Sequence, residues 1–275
     1  MKALRDRAGF YDIGGKGFIS STTVIDRLEK YGLHPWIART TAEYMRDEIL
    51  NHLIAGDMTI EQLRETDLEL LMKQAKQAHE QKKKEAMDIG SGVHKAIEEY
   101  YKHGQNRAVL DAHSKMFPVL TSPLLAFIEW ESAFKINPID VERTVFSKTE
   151  EYAGTLDLHC YLTVPGDTVE RVVIIDHKAA AAVYDGNVMQ IASYAFALLE
   201  ELLELDGAGI LRLDKETGIP EFRLYSMEEL EKPYKMFLSV LDYCKWERAW
   251  KSEISAKKSA GRRAARKAPK LNLES

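Results

Sequence analysis

The chain has 275 residues, of which 45% are hydrophobic and 29% charged, with a formal net charge of −5. These values fit a soluble globular protein of one large or two small domains. Two cysteines, Cys160 and Cys244, are too few for a four-thiolate zinc or iron–sulfur site or a secreted disulfide framework, and both read as core residues. No apolar run reaches transmembrane length, and the opening "MKALRDRAGF" lacks the apolar core of a signal peptide, so a cytoplasmic protein without a membrane partner is expected.

"GFYDIGGK" (residues 9–16) has the look of a phosphate-binding loop, but Lys16 comes one place late and Gly17 replaces the Ser/Thr. It reads as a loop, and no nucleotide cofactor is expected. "SSTTVIDRLEKYG" (20–32) offers Ser/Thr caps, an apolar stripe and a closing Gly32, so it predicts a helix. A second helix runs from Trp36 to Leu53. Residues 59–87 predict a long third helix, opened by Thr59 and Gln62 at capping-box spacing, with "QKKKE" as a solvated face. "DIGSGVHKAIEEYYKHG" (88–104) predicts a further helix, entered through glycines and left at Gly104. "SPLLAFIEWESAFK" (122–135) closes a helical N-terminal region, residues 1–136.

From Asn137 the pattern becomes that of strands. "DVERTVFSK", "EYAGTLDLHCYLTV" and "ERVVIIDHK" predict three consecutive strands. "GNVMQIASYAFALLEELLEL" predicts a helix, and "AGILRLDKETGIPEFRLYS" a hairpin turning at "KETG". A last helix starts at Ser226, with Glu229 completing a capping box and Tyr234, Phe237, Leu241 and Cys244 at helical spacing. The fold class is therefore α/β, a central mixed sheet flanked by helices, with its core in residues 137–250. From residue 251 onward eight Lys or Arg face two Glu, a net +6 against −11 for the rest. This segment reads as a flexible basic tail. It is either a solubilising end or a phosphate-binding arm acting through Lys257, Lys258, Arg262, Arg263, Arg266 and Lys267. Trp246 and Trp250, just before it, are expected to dock the last helix.

Residues 172–175 are apolar at every position, so their strand is expected to be covered on both faces. Alternation then puts Asp176 and Lys178 on one face and His177 on the other. In "GTLDLHCYL" the same rule groups Leu156, Leu158, Cys160 and Leu162 against Thr155, Asp157, His159 and Tyr161. Asp157 and Asp176 on neighbouring strands, with Lys178 beside them, are costly unless a cation joins them. Oxygen ligands of this kind suit Mg²⁺ or Mn²⁺, and the lysine can hold a water, which is equipment for phosphodiester hydrolysis. A plain strand-end ion pair is the competing reading. Gln190 and Tyr194 lie four apart on the following helix. His94, after "GSG", is either structural or a ligand.

"GTLD", "IIDHK" and "QIASYA", with "GSGVH" upstream, together resemble the PD-(D/E)XK nuclease superfamily, and within it the RecB-like exonucleases, including phage and mitochondrial genome-maintenance enzymes. The resemblance covers residues 94–198. The Ser/Thr-rich "FISSTTVIDRL" followed by "LHPWIARTTAEYM" is similar to the opening of phage members. Ala179 departs from the Ser or Thr that often follows the lysine, and the two cysteines disfavour the iron–sulfur branches.

The resemblance implies a restriction-endonuclease-like core with the helical region packed on it and supplying His94. Asp157, Asp176 and His94 would bind Mg²⁺ or Mn²⁺, with the His177 backbone carbonyl as a further ligand. Glu142 would be an extra acid for a second metal. Lys178 would orient the attacking water, and Gln190 and Tyr194 would position Lys178, the water or the DNA backbone. The implied function is a metal-dependent deoxyribonuclease, an exonuclease of recombination, repair or replication. Its partners would be DNA and a single-strand-annealing or other recombination protein. The alternatives are a non-cleaving DNA-binding or assembly protein on the same fold, and a structure- or sequence-specific endonuclease.

Overall fold

Residues 172–175 carry branched apolar side chains throughout, and the strand they form is buried on both faces. The computed structural model describes residues 6, 9–28, 33–56, 59, 68–201 and 204–267. In chain order the elements are β1 (Phe10–Ile13), β2 (Lys16–Ser20), α1 (Ser21–Ile25), α2 (Leu33–Ala55), α3 (Leu68–Lys102) and α4 (Arg107–Met116). A 3-10 turn (Pro118–Leu120) leads to α5 (Thr121–Ala133), β3 (Lys135–Ser147), β4 (Tyr152–Thr163) and β5 (Glu170–Lys178). Then come α6 (Asp185–Leu199), β6 (Gly207–Leu213), β7 (Pro220–Ser226) and α7 (Met227–Lys267).

The seven strands form one mixed sheet of order β1-β2-β4-β5-β6-β7, with β3 on the other edge of β4. The β2–β4 and β5–β6 pairs are parallel and the rest antiparallel. Helices cover both faces. Ile174 packs with Tyr152, Ile191, Tyr194 and Phe237 on the side of α1, α6 and α7. Val173 and Ile175 pack with Ile97, Tyr100, Phe127 and Trp130 on the side of α3, α4 and α5. Burying β5 between two such layers is what an unbroken apolar strand requires. No helix among the described residues is long and apolar enough to cross a membrane.

Several local expectations change. Residues 9–16 belong to a β1–β2 hairpin, not a loop. Gly14 and Gly15 supply the left-handed backbone (φ 63° and 81°) of its two-residue turn, and Asp12 Oδ1 accepts the Gly15 N–H at 2.9 Å. The helix expected over residues 20–32 is only the short α1, and residues 29–32 lie outside those described, as does Gln62 of the expected capping box. The two helices expected over 59–87 and 88–104 are one from Leu68 onward, because Gly90 and Gly92 do not break it. Gly92 has a packing reason: a Cβ there would lie 3.1 Å from Leu120 Cδ1. Helix α4 was not foreseen, although Asn106 caps it by accepting the Ala108 N–H at 3.0 Å.

The capping box at the start of α7 is present: Ser226 N–H donates to Glu229 Oε2 at 2.8 Å, and Glu229 N–H to Ser226 Oγ at 3.2 Å. The end of α7 corrects the tail. Residues 251–267 continue the helix, because Ala, Lys and Arg favour it and Glu253 pairs with Lys257 one turn on at 2.7 Å. Residues 268–275 lie outside those described. Trp246 and Trp250 do not dock the helix; they are 57% and 50% exposed.

Candidate metal centre

Strand β4 is shared along one edge by two partners. Strand β5 pairs with it over Leu158 to Thr163, and β2 pairs at Tyr152 and Ala153. Asp157 stands in the fork between them. Its Oδ2 accepts the backbone N–H of His177 at 2.7 Å, so the carboxylate extends the β4–β5 ladder by one bond after the strands part. The fork also breaks the side-chain alternation. Leu156 packs on the α6 side and Leu158, Cys160 and Leu162 on the α5 side, so the four leucine and cysteine positions do not share a face. Glu142 lies between residues paired with Leu156 and Leu158, and its backbone is left-handed (φ 53°), a conformation a non-glycine residue adopts at a cost.

This arrangement brings three ligating groups together. One ligand atom from each of His94, Glu142 and Asp157 lies within 4.8 Å of the other two, so the half-buried cluster can hold a metal ion. His94 comes from α3, Glu142 from β3 and Asp157 from β4, so the site ties the helical layer to the sheet. One nitrogen and two carboxylates form a donor set for a divalent cation. The cluster opens into a cleft of about 590 Å³, also lined by Gly90, Ser91, Lys95, Glu98, Lys178 and Ala179.

A second group adjoins the first. Lys178 Nζ lies 2.7 Å from Asp176 Oδ2 and donates to Gln190 Oε1 at 3.3 Å. Gln190 Nε2 in turn donates to the Tyr194 hydroxyl at 2.7 Å. The edge of the Tyr194 ring abuts Gly154 of β4, where a Cβ would sit 2.1 Å from its Cε1. The lysine head is thus held from three elements, by Asp176 on its own strand, by α6, and through Tyr194 by β4. His177 points the other way, against the Phe127 ring.

Charges in the site are strongly coupled. Asp157, with its side chain 3.3 Å away, raises His94 to about 9 despite opposition from burial and Lys178. Burial would raise Asp157, but the charge and hydrogen bond of His94, with the charge of Lys178, hold it well below the usual carboxylate range. Burial raises Asp176, only partly offset by Lys178. Burial would lower Lys178, but Asp176 and Asp157 outweigh it and keep the ammonium charged. Burial drives His177 down to about 4, so that ring is neutral. An imidazole raised this far marks a place where negative potential is concentrated and a cation is favoured.

Of the residues singled out from the sequence, His94, Asp157, Asp176, Lys178, Gln190 and Tyr194 converge on this one region. Glu142 sits in the same cluster as His94 and Asp157. Asp176 stands beside the cluster, engaged by Lys178. The main-chain group that His177 brings to Asp157 is its N–H. Lys257 and Lys258 lie far along α7, exposed. Ser91, Lys95 and Glu98 in the cleft wall were not foreseen; for Ser91 and Glu98 the spacings of three and four from His94 were the available signal. No protein-family model matches this chain, and no curated protein matches it either.

Proposed function

We propose that this chain is a Mg²⁺- or Mn²⁺-dependent deoxyribonuclease of the PD-(D/E)XK type, acting as an exonuclease in DNA recombination, repair or replication. The observation that carries the reading is the juxtaposition at one strand fork of the His94–Glu142–Asp157 cluster and the Asp176–Lys178 pair. A bound divalent ion would supply Lewis-acid activation of water and neutralise charge on the scissile phosphate.

The residues of the chain account for the rest. His94, Glu142 and Asp157 would hold the ion, and an imidazole among carboxylates favours Mn²⁺ over Mg²⁺. Lys178 stays charged because Asp176 is beside it, so it can donate to a water or a phosphate oxygen. Gln190 and Tyr194 orient the Lys178 ammonium. Burial of Asp176 and Lys178 limits competing solvent and strengthens their electrostatic action. Ala179, in the cleft wall, contributes no hydroxyl to a phosphate.

The test is a timed digest of end-labelled single- and double-stranded DNA and RNA with Mg²⁺, Mn²⁺ or EDTA. Metal-dependent release of mononucleotides or short products from DNA ends supports the reading. No cleavage of any substrate with either metal would overturn it.

A further inference from the structure

The C-terminal half of α7 combines two features that the metal centre does not use. Tyr243, Trp246 and Trp250 follow one another at spacings of three and four, which places them on one helical face. They are 50%, 57% and 50% exposed. The two indoles are nearly parallel, at 14°, with centroids 6.2 Å apart, and Tyr243 leans on Trp246 at 5.9 Å. Earlier in the same helix, Phe237, Leu241 and Cys244 are buried and anchor it to the sheet. From Lys251 to Ala260 every residue is exposed, so the helix leaves the body there. Residues 251–267 carry seven Lys or Arg and one Glu.

We propose that Tyr243, Trp246 and Trp250 form a stacking platform for unpaired bases of single-stranded nucleic acid, whose phosphates are held by the basic continuation of α7. Exposed flat rings offer a face to any base without reading its identity, and interspersed lysines and arginines neutralise the backbone. Charge selects this occupant. Residues 251–267 carry a net charge of +6, which attracts a polyanion, and two such arms laid side by side repel each other. A duplex keeps its base faces stacked inside and can use only the lysines and arginines. The inference rests on the nucleic-acid reading of the cleft and gives it a preference for single strands.

The experiment uses the full-length protein in EDTA, where binding is read without cleavage. Anisotropy of dye-labelled oligothymidine and of a duplex of equal length is measured for wild type, W246A, W250A and the double variant. Each loss of an indole should weaken single-strand binding by about tenfold, leave duplex binding unchanged and leave the circular dichroism spectrum unchanged. The variants W246F and W250F should retain most of the affinity. K257Q with K258Q should instead flatten the salt dependence for both strands, by roughly 0.7 to 0.9 in slope per lost contact. Unchanged single-strand affinity in the double alanine variant would overturn the proposal. So would sedimentation showing a wild-type dimer that the double variant abolishes, because the stripe would then be a self-interface. Absence of metal-dependent cleavage would count against the nuclease reading alone, since this binding is measured without metal.

Discussion

His94 Nδ1 stands 3.3 Å from Asp157 Oδ1, and each residue shifts the other's protonation: His94 is raised to about 9 and Asp157 falls below the usual range. A divalent ion entering this cluster must take the imidazole lone pair, so it competes with a proton. In EDTA-treated protein His94 is charged below about pH 9. Metal affinity should therefore rise with pH up to about 9, approaching tenfold per unit, a window well above that of an ordinary histidine near 6.5. Isothermal titration with Mn²⁺ in buffers of different ionisation enthalpy should find close to one proton released at pH 7. Metal binding without proton release would remove His94 from the ligand set.

The same pair predicts the pH dependence of stability without metal. A histidine whose folded value is raised stabilises fully below its unfolded value, about 6.5, and loses that contribution as pH rises through about 9. Asp157 is depressed, so its contribution is present above about pH 4 and is lost as pH falls further. Denaturant titrations in EDTA should show a maximum between these limits. The loss from pH 6.5 to 9.5 should be on the order of 2 kcal/mol, after screening is allowed for, because the His94 side chain is 30% exposed. In H94A the alkaline loss should disappear.

Asp157→Asn, Asp176→Asn and Lys178→Met should each nearly abolish cleavage. A double variant should be little worse than a single one, because the groups act as a unit. Truncation is a different matter. Asp176→Ala leaves the Lys178 ammonium half-enclosed without its partner and should cost about 3 kcal/mol or more. Asp157→Ala strands the His177 N–H and should cost about 1–3 kcal/mol. Near-normal turnover in any of the three activity variants would take that residue out of the site.

Gly154 is coupled to Lys178 through Tyr194 and Gln190. In Gly154→Ala the new methyl would overlap the Tyr194 ring, which must move and loosen the Gln190 contact to the lysine. The turnover number should fall at least tenfold with KM little changed, since binding groups elsewhere are untouched. Tyr194→Phe keeps the ring and loses only the hydroxyl, so its effect should be smaller. Equal kinetics for wild type and Gly154→Ala would break this chain of contacts.

Glu142 separates backbone strain from metal binding. Both Glu142→Gly and Glu142→Ala lose the carboxylate and should weaken Mn²⁺ binding, visible by calorimetry. At φ 53° the glycine variant should be more stable than the alanine variant by about 1 kcal/mol, because only glycine occupies this region freely. Unaltered Mn²⁺ affinity in both would exclude Glu142 as a ligand.

Much of this was legible in the chain. An apolar run at residues 172–175 implies a strand buried twice over, and the two layers around β5 follow from it. Asp176 and Lys178 share a face by strand alternation alone, and Gln190 and Tyr194 share one by helical spacing. Ser226 and Glu229 name the start of α7 without help from the rest of the fold. These features depend on neighbours within four residues, so local chemistry suffices for them.

Other features needed the assembled sheet. Alternation predicts Leu156 and Leu158 on one face, but β4 changes partners between them, and no local pattern reveals where a strand exchanges β2 for β5. The left-handed Glu142 lies opposite that fork, on a strand joined to Asp157 only by pairing. Gly90 and Gly92 weaken a helix by intrinsic propensity, yet packing of Gly92 against Leu120 favours the continuous α3 that brings His94 to the acids. The exposure of Trp246 and Trp250 is a matter of where α7 leaves the body. Composition and short-range spacing determined which residue types could do chemistry here; contacts between residues distant in sequence decided which of them meet.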